Sequence, residues 1–277
     1  MEEILTAVIP VVIISIICGT VLVIASKLMA VKEDERFPKV RECLPGANCG
    51  ACGFAGCDGY AKALCENPDT PSNLCTPGAY AVSKKLSEIL GTKFTDVAEK
   101  VAVVHCGGDC SKTQDKAIYS GIQSCKAAKL TYGGKGSCTY GCLGLGDCMN
   151  VCPQNAIYIK DGIAKINMYE CIGCGICTRA CPNGLISLIP KSENVIVTCS
   201  SKDKGASVRK ICSNGCIGCK KCERVCPQGA IKVTDNLASI NYEKCRSCPD
   251  FGICAESCTT SCIARGFAPN PTRAARP

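Results

Sequence analysis

Cysteines are the residues of this chain most able to do chemistry. The stretch CIGCGICTRACP, residues 171–182, holds four of them within eleven positions and ends on a proline. The whole chain has 29 cysteines in 277 residues, no tryptophan and a single histidine, His105. Repeated C-x-x-C-x-x-C-x-x-x-C-P runs bring four thiolates around one centre, which is the ligand pattern of [4Fe-4S] clusters. We therefore expect iron–sulfur clusters, more than a large apolar core, to organise the chain.

Other uses of so many cysteines fit the sequence less well. Disulfide scaffolds spread their cysteines to join distant loops of short secreted domains. Zinc sites pair C-x-x-C knuckles or include histidine, which is nearly absent here. The net charge of +8 suggests nucleic acid, but it counts thiols as neutral, and each cluster with its four thiolates carries about −2. The sequence has no basic patch interleaved with aromatic residues, so we expect no nucleic-acid partner.

An internal repeat runs through the second half of the chain. CPQNAIYI at 152, CPNGLISL at 181 and CPQGAIKV at 226 share a cysteine, a proline and an apolar strand start, and a fourth copy has threonine after Cys258. Paired repeats of this kind are typical of the two-cluster ferredoxin fold, in which the fourth cysteine of each motif binds the other cluster. The predicted quartets are Cys138, Cys142, Cys148 and Cys181 (cluster 2); Cys152, Cys171, Cys174 and Cys177 (cluster 3); Cys216, Cys219, Cys222 and Cys258 (cluster 4); and Cys226, Cys245, Cys248 and Cys254 (cluster 5).

Two of these assignments are fixed less firmly by spacing. The stretch CTYGCLGLGDCMNVCP, which supplies cluster 2, has x3 and x5 spacing, looser than a regular motif. In cluster 4, spacing favours Cys258 without excluding Cys262.

A smaller cysteine module precedes the ferredoxin repeats. The run CGACGFAGC places Cys49, Cys52 and Cys57 at x2 and x4 spacing, and Cys75 follows a predicted amphipathic helix. These four residues predict a further [4Fe-4S] site, cluster 1. The remaining cysteines of the module, Cys43 and Cys65, are interpreted as packing residues.

Five thiols between and around these sites remain to be placed: Cys106, Cys110, Cys125, Cys199 and Cys212. Cys106, Cys125, Cys199 and Cys212 are the candidate ligands of a sixth cluster, and free buried cysteines are the equal alternative. His105 is interpreted as a structural residue.

The N-terminal segment predicts one transmembrane helix. From Ile4 to Ser26 no residue is charged, and at about 1.5 Å per residue this segment reaches roughly 34 Å, enough to cross the hydrocarbon core. A cleaved signal peptide and a buried core helix are the alternatives; the acidic start argues against the first and uniform apolarity against the second. Basic residues follow the span, which predicts that the C-terminal part is cytoplasmic. They are Lys27, Lys32, Arg36, Lys39 and Arg41.

The predicted fold class is α+β, with a single N-terminal transmembrane helix, a small four-cysteine [4Fe-4S] module and two ferredoxin-like two-cluster units. The predicted boundaries are 1–30 for the anchor, 31–42 for a charged linker, 43–80 for the module, 81–135 for a connecting region, 136–190 and 191–264 for the ferredoxin units, and 265–277 for a disordered tail.

The order of these parts resembles that of the B subunit of the Rnf complex, RnfB, over nearly the whole chain. The resemblance rests on CGACGFAGC with Cys75, placed after one membrane helix and before ferredoxin repeats. It implies a membrane complex that oxidises reduced soluble ferredoxin, reduces NAD+ and couples the reaction to Na+ or H+ export, with other Rnf membrane subunits as partners. Shorter members end after one ferredoxin pair, whereas this chain has the long form found among anaerobes.

The predicted chemistry is electron transfer, because the sequence has no Walker loop, dinucleotide fingerprint or catalytic triad. We expect no complete NAD+ site in this chain. Lys210, Lys220, Lys221 and Arg224 offer a basic face to an acidic ferredoxin, and a merely solvated face is the alternative. A tethered polyferredoxin serving another anaerobic redox enzyme and a zinc-binding regulator are the competing functions.

Overall fold

The computed structural model describes residues 2–28, 34–94, 97–193, 195–246, 248 and 252–265. The first helix, α1 (Glu2–Leu28), is by far the longest element. Within it, the stretch Ile9–Lys27 is long and apolar enough to cross a membrane, and none of it is buried against the rest of the protein. Lys32 and nearly all of the predicted tail, residues 266–277, lie outside the described residues.

Three helices build the small module that follows: α2 (Phe37–Cys43), α3 (Cys57–Glu66) and α4 (Ala79–Leu90). Their apolar faces meet in one core, in which Val40, Tyr60 and Leu86 are almost fully buried. Helix α2 corrects the prediction of a charged linker over 31–42, because Val40 docks this segment onto α3 and α4. Gly91 ends α4 in the left-handed conformation, which glycine adopts readily.

The first ferredoxin unit is built from two antiparallel strand pairs. Strand β2 pairs with β3, and β1 pairs with β4, so that Val101 lies opposite Ile189. The elements in chain order are β1 (Lys100–Val104), α5 (Cys125–Leu130), α6 (Asp147–Asn150), β2 (Ile157–Lys160), β3 (Ile163–Ile166), α7 (Ile176–Ala180) and β4 (Ile186–Pro190). Strand β1 and helix α5 fall in the predicted connecting region, yet both pack with this unit. Without β1, strand β4 would be an unpaired edge.

The second unit repeats the first. Strands β6 and β7 form one antiparallel pair, and β5 and β8 form the other, with Val197 opposite Ile263. Its elements are β5 (Val195–Val197), α8 (Gly205–Ile211), α9 (Lys221–Val225), β6 (Ile231–Thr234), β7 (Leu237–Ile240), α10 (Tyr242–Cys245), α11 (Ile253–Glu256) and β8 (Ile263–Arg265). Strand β5 therefore plays in this unit the part that β1 plays in the first.

His105 joins the two units. Its Nδ1 lies 2.7 Å from the carbonyl oxygen of Val197 in β5, and its Nε2 lies 2.6 Å from Ser187 Oγ in β4. Both ring nitrogens are thus used within the protein, in agreement with a structural role.

Candidate metal centres

All 29 cysteines are free thiols. Among the residues that the structure describes, no group of three or more His, Cys, Asp or Glu side chains converges tightly enough to hold a single metal ion. The cysteines stand instead around cavities, most of them in fours.

The cluster 1 cysteines surround one cavity in the small module. Cys49, Cys52, Cys57 and Cys75 line it, together with Tyr60 and other residues. Burial raises the pKa of Cys75 to about 11, and the neighbouring thiols of Cys57, Cys49 and Cys52 add to this shift. The structure therefore brings this predicted quartet together.

The cluster 3 cysteines also meet. Burial raises the pKa of Cys177 to about 12, and the nearby thiols of Cys171, Cys174 and Cys152 raise it further. Gly173 sits inside this motif with a φ of +66°, and a Cβ there would collide with the carbonyl oxygen of Lys100. Glycine is needed at this position because the cluster loop turns against β1.

The cluster 2 quartet differs from the sequence prediction at one position. Cys142, Cys148 and Cys181 line one cavity as predicted, but the fourth thiol there is Cys125. Burial raises the pKa of Cys148 to about 12, and Cys142, Cys125 and Cys181 add to the shift. Cys138 lines a different cavity, which Cys142 also borders but Cys148 and Cys181 do not, so the structure does not place it with this quartet.

The repeat explains the exchange. An offset of 29 residues aligns Cys142 with Cys171 and Cys148 with Cys177, and it aligns Leu145 with Cys174. The motif therefore lacks its second thiol, and Leu145 packs against the cluster of buried residues that contains Cys125. This alignment is a signal in the sequence that could have shown that the fourth thiol comes from elsewhere.

Asp147 positions the helix that carries Cys125. Its two carboxylate oxygens accept hydrogen bonds of 3.0 Å from the backbone N–H groups of Cys125 and Lys126 at the start of α5. Ser124 Oγ donates to the same carboxylate. Because Asp147 precedes Cys148, one short segment fixes two members of the quartet.

A sixth group of cysteines lies between the two ferredoxin units. Cys106, Cys138, Cys199 and Cys212 line one cavity of about 280 Å³, which Cys142 of cluster 2 also borders, and Cys110 lies at its exposed edge. Burial raises the pKa of Cys138, and the thiols of Cys106 and Cys212 add to that shift. The predicted sixth set thus contains three of these residues, with Cys125 in the place of Cys138.

Each sulfur of this sixth group accepts a backbone N–H. Cys106 Sγ accepts from Cys142 at 3.4 Å, and Cys199 Sγ accepts from Cys216 at 3.2 Å. Tyr140 donates to Cys138, and Asn214 donates to Cys212. Such bonds favour thiolate over thiol, which is what a cluster ligand requires.

The second ferredoxin unit contains the last two quartets. Cys226, Cys245, Cys248 and Cys254 line one cavity, as predicted for cluster 5. Cys216, Cys219, Cys222 and Cys258 line another, as predicted for cluster 4, and Cys262 lies there as a fifth cysteine. A shared hydrogen bond with Cys262 lowers the pKa of Cys258 and of Cys216.

Backbone N–H to sulfur hydrogen bonds recur in both units. Ala156, Leu185 and Ala230 each donate from the backbone to the cysteine four residues earlier, over 3.3–3.4 Å. Thiols grouped in fours around cavities, with backbone donors aimed at their sulfurs, fit [4Fe-4S] clusters in donor chemistry. Because burial raises the pKa of several of these thiols, among them Cys75, Cys148 and Cys177, cluster binding must release protons there.

The four predicted partner-binding residues, Lys210, Lys220, Lys221 and Arg224, are all exposed. None of them forms a salt bridge with another residue in the described part of the chain. Lys220 and Lys221 line the cluster 4 cavity next to Cys219, whose side chain is exposed. The structure therefore places two of the four beside a surface-exposed thiol.

Three iron–sulfur family models match parts of the chain. Residues 44–77 match the Fe-S cluster family (FeS), residues 137–185 match the 4Fe-4S dicluster domain (Fer4_7), and residues 213–232 match the 4Fe-4S binding domain (Fer4).

Whole-chain relatives extend the agreement. The chain is 44% identical to the B subunit of the proton-translocating ferredoxin:NAD(+) oxidoreductase complex of Clostridium ljungdahlii, over 91% of this chain and 88% of that protein. It is 39% identical to the Na(+)-translocating counterpart of Acetobacterium woodii, over 90% and 74% of the two chains. It is 40% identical to the B subunit of the ion-translocating oxidoreductase complex of Methanosarcina acetivorans, over 88% and 92%. With these matches and its cysteine-rich ferredoxin units, the chain belongs to the RnfB family, the iron–sulfur electron-transfer subunits of Rnf complexes.

Proposed function

We propose that this subunit accepts electrons from reduced soluble ferredoxin and relays them to other subunits of an Rnf complex. That complex reduces NAD+ and couples the reaction to Na+ or H+ export. The relatives' names support the donor, the acceptor and the coupling. The apolar helix α1 and the basic residues that follow it support attachment to the cytoplasmic membrane by a single span, with the ferredoxin units on the cytoplasmic side.

We further propose six ligand quartets. Clusters 1, 3, 4 and 5 keep the cysteines predicted from the sequence. Cluster 2 is held by Cys125, Cys142, Cys148 and Cys181, and a sixth cluster is held by Cys106, Cys138, Cys199 and Cys212. When bound, a [4Fe-4S] cluster supplies one-electron exchange at a potential that its surroundings set.

The main support for this function comes from contacts between neighbouring quartets, because these contacts would arrange the proposed quartets in one continuous series. Cys49 lies close enough to Cys174 to raise its pKa, and Arg179 donates to the carbonyl oxygen of Cys49 at 2.9 Å, so the small module adjoins cluster 3. Cys177 similarly raises the pKa of Cys148, which joins clusters 3 and 2.

The sixth quartet continues this series into the second unit. The backbone N–H of Cys142, a cluster 2 residue, donates to Cys106 Sγ, and that of Cys216, a cluster 4 residue, donates to Cys199 Sγ. The resulting order is 1, 3, 2, 6, 4, 5. In this order the sixth site links the two ferredoxin units.

Removing one sixth-site ligand tests the series. In Cys138→Ala we expect reduction by ferredoxin to split into two phases, because the quartets on either side lose their connection. Rapid-freeze EPR on the anaerobic full-length chain should show about two clusters reduced quickly and about three slowly. Cys110→Ala is the matched control, since Cys110 lines the same cavity at its exposed edge.

The relative amplitudes also report where ferredoxin docks. If three clusters were reduced quickly and two slowly, the series would stand, but ferredoxin would dock at the end of the series that holds cluster 1. A single phase in Cys138→Ala, as in the control, would overturn the series.

The exposed Lys220 and Lys221 lie beside cluster 4, and we propose that ferredoxin docks on this surface. Ferredoxin is expected to be acidic, and complementary charge raises association rates by about tenfold or more at low salt. In the double variant Lys220→Gln/Lys221→Gln, electron uptake should slow and its salt dependence should flatten.

The adjacent exposed pair Lys84 and Lys85 on α4 offers a control with the same charge change. Stopped-flow absorbance between low and high salt compares the two double variants. Equal rates and equal salt slopes would exclude docking at Lys220 and Lys221.

A further inference from the structure

Cys262 is the residue that sets the fourth repeat copy apart. Alignment of the four copies on their strand-opening cysteines places Ala156, Leu185, Ala230 and Cys262 at one position. All four are buried, with 1–3% of their surface exposed. The chain thus has a thiol where the other three copies have a hydrocarbon side chain.

The Cys262 thiol faces two cysteines of the cluster 4 quartet. Its Sγ lies 3.6 Å from Cys258 Sγ, and it lies close enough to Cys216 to lower the pKa of that thiol. Cys219 and Cys222 complete a full set of four without it. A cysteine S–H is a hydrogen-bond donor as well as a metal ligand, so a fifth thiol here can act without binding iron.

The equivalence of the repeats favours Cys258 as the ligand and Cys262 as the donor. Cys258 aligns with Cys152, Cys181 and Cys226, the strand-opening cysteines of the other copies. In those copies the residue four positions later already serves the ligand sulfur, through a backbone N–H. In the fourth copy a side chain at the same position makes the contact with sulfur.

We propose that Cys262 is a positioning residue that donates a hydrogen bond to the sulfur ligands of cluster 4 and makes that cluster easier to reduce. This inference rests on the proposed binding of a [4Fe-4S] cluster by the quartet. Reduction adds one negative charge to a cluster, and a hydrogen bond to its sulfur stabilises that charge, which raises the reduction potential. The electron comes from the external donor, and the thiol keeps its proton.

The higher reduction potential matters because of where cluster 4 lies. Cluster 4 lies beside exposed Cys219 and beside Lys220 and Lys221, where we propose that ferredoxin docks. A cluster that is easier to reduce at this point favours uptake of the electron over its return to ferredoxin.

The test is an EPR-monitored redox titration, with dithionite as reductant, on the anaerobic full-length chain and its Cys262→Ala variant. Alanine occupies this position in two of the other copies, so the variant should fold. We expect unchanged iron content and one titration component moved to lower potential. At fixed potential the oxidised-to-reduced ratio of that component should rise by about tenfold, which is about 59 mV for a one-electron couple.

Two further variants separate donation from packing. Cys262→Ser keeps a donor and should titrate close to the unchanged chain. Ala230→Cys places a thiol at the equivalent position beside Cys226, and it should move one component to higher potential.

Three results would overturn the proposal. Loss of about four irons in Cys262→Ala would make Cys262 a ligand. An unshifted titration in both Cys262→Ala and Ala230→Cys would remove the donor role, as would a serine variant that behaves like alanine. An iron-free unchanged chain would instead overturn the proposed clusters themselves, so the two failures are distinguishable.

Discussion

At the scale of single residues, the exchange between Leu145 and Cys125 shows how a ligand set can survive the loss of one motif position. Leu145 fills the position that Cys174 holds in the paired motif, and its side chain packs near Cys125. Cys125 comes from α5, twenty residues earlier in the chain. The cluster 2 cavity therefore keeps four thiols although its own motif supplies fewer.

This arrangement predicts a rescue. Cys125→Ala should remove about four irons per chain, because cluster 2 loses one of its ligands. Adding Leu145→Cys to that variant restores the regular motif and should restore the iron. Iron content of the anaerobic proteins is the measurement, with Cys65→Ala, a packing residue of the small module, as the control. Iron loss that Leu145→Cys does not repair would contradict the proposed ligand set.

The sequence predicted most cysteine groupings because the ferredoxin motif fixes them by spacing. It predicted the wrong neighbours for Cys138 and Cys125 because both lie outside a regular motif, where spacing along the chain no longer determines spacing in three dimensions. Only the offset between repeat copies, which aligns Leu145 with Cys174, carried the missing information.

At the scale of elements, short helices and strand pairs depend on contacts outside themselves. Helix α5 has only six residues, too few to be stable alone in water. The carboxylate of Asp147 and the N-cap Ser124 satisfy backbone N–H groups in its first turn. The position of Cys125 therefore depends on a side chain twenty-two residues away.

Asp147→Ala should weaken this attachment. Loss of capping interactions costs about 1 kcal/mol, which corresponds to roughly a fivefold change in a local opening equilibrium. We expect the most labile irons, those of cluster 2, to leave about fivefold faster in the presence of a chelator. The reason is that Cys125 becomes free to move away from this cluster. Glu88→Ala, on the exposed face of α4, is the control. Equal rates of iron release in the two variants would contradict the role of Asp147.

The sequence predicted helix α3 from its local amphipathic pattern. It did not predict that β1 pairs with β4, because the sequence pattern of a strand does not indicate which other strand it pairs with. The sequence also missed α2, since charged residues surround the single buried Val40.

At the scale of the whole molecule, cysteine side chains form much of the buried interior that hydrocarbon side chains usually form. The buried clusters of both ferredoxin units contain cysteines among a few short aliphatic side chains. Ligation by four thiolates then contributes directly to the free energy of folding. In the proposed order, clusters 4, 6, 2, 3 and 1 would make one path from the proposed docking surface to the small module that follows the membrane helix in the chain, with cluster 5 next to cluster 4.

Removal of iron should therefore unfold the ferredoxin units. We expect oxidative stripping in the presence of a chelator to abolish most of the ordered structure after residue 97, while helix α1 persists in detergent. Far-UV circular dichroism recorded alongside iron release measures this. Full retention of the signal in the iron-free protein would show that the apolar contacts suffice.

Whether the chain binds its clusters is decided by the iron and acid-labile sulfide content of the anaerobically isolated full-length chain, together with quantitative EPR after dithionite reduction. Six quartets predict about twenty-four irons and as many sulfides per chain. A natively folded chain that contains no iron would show that clusters do not organise the protein, and about twenty irons would remove the sixth site that links the two ferredoxin units.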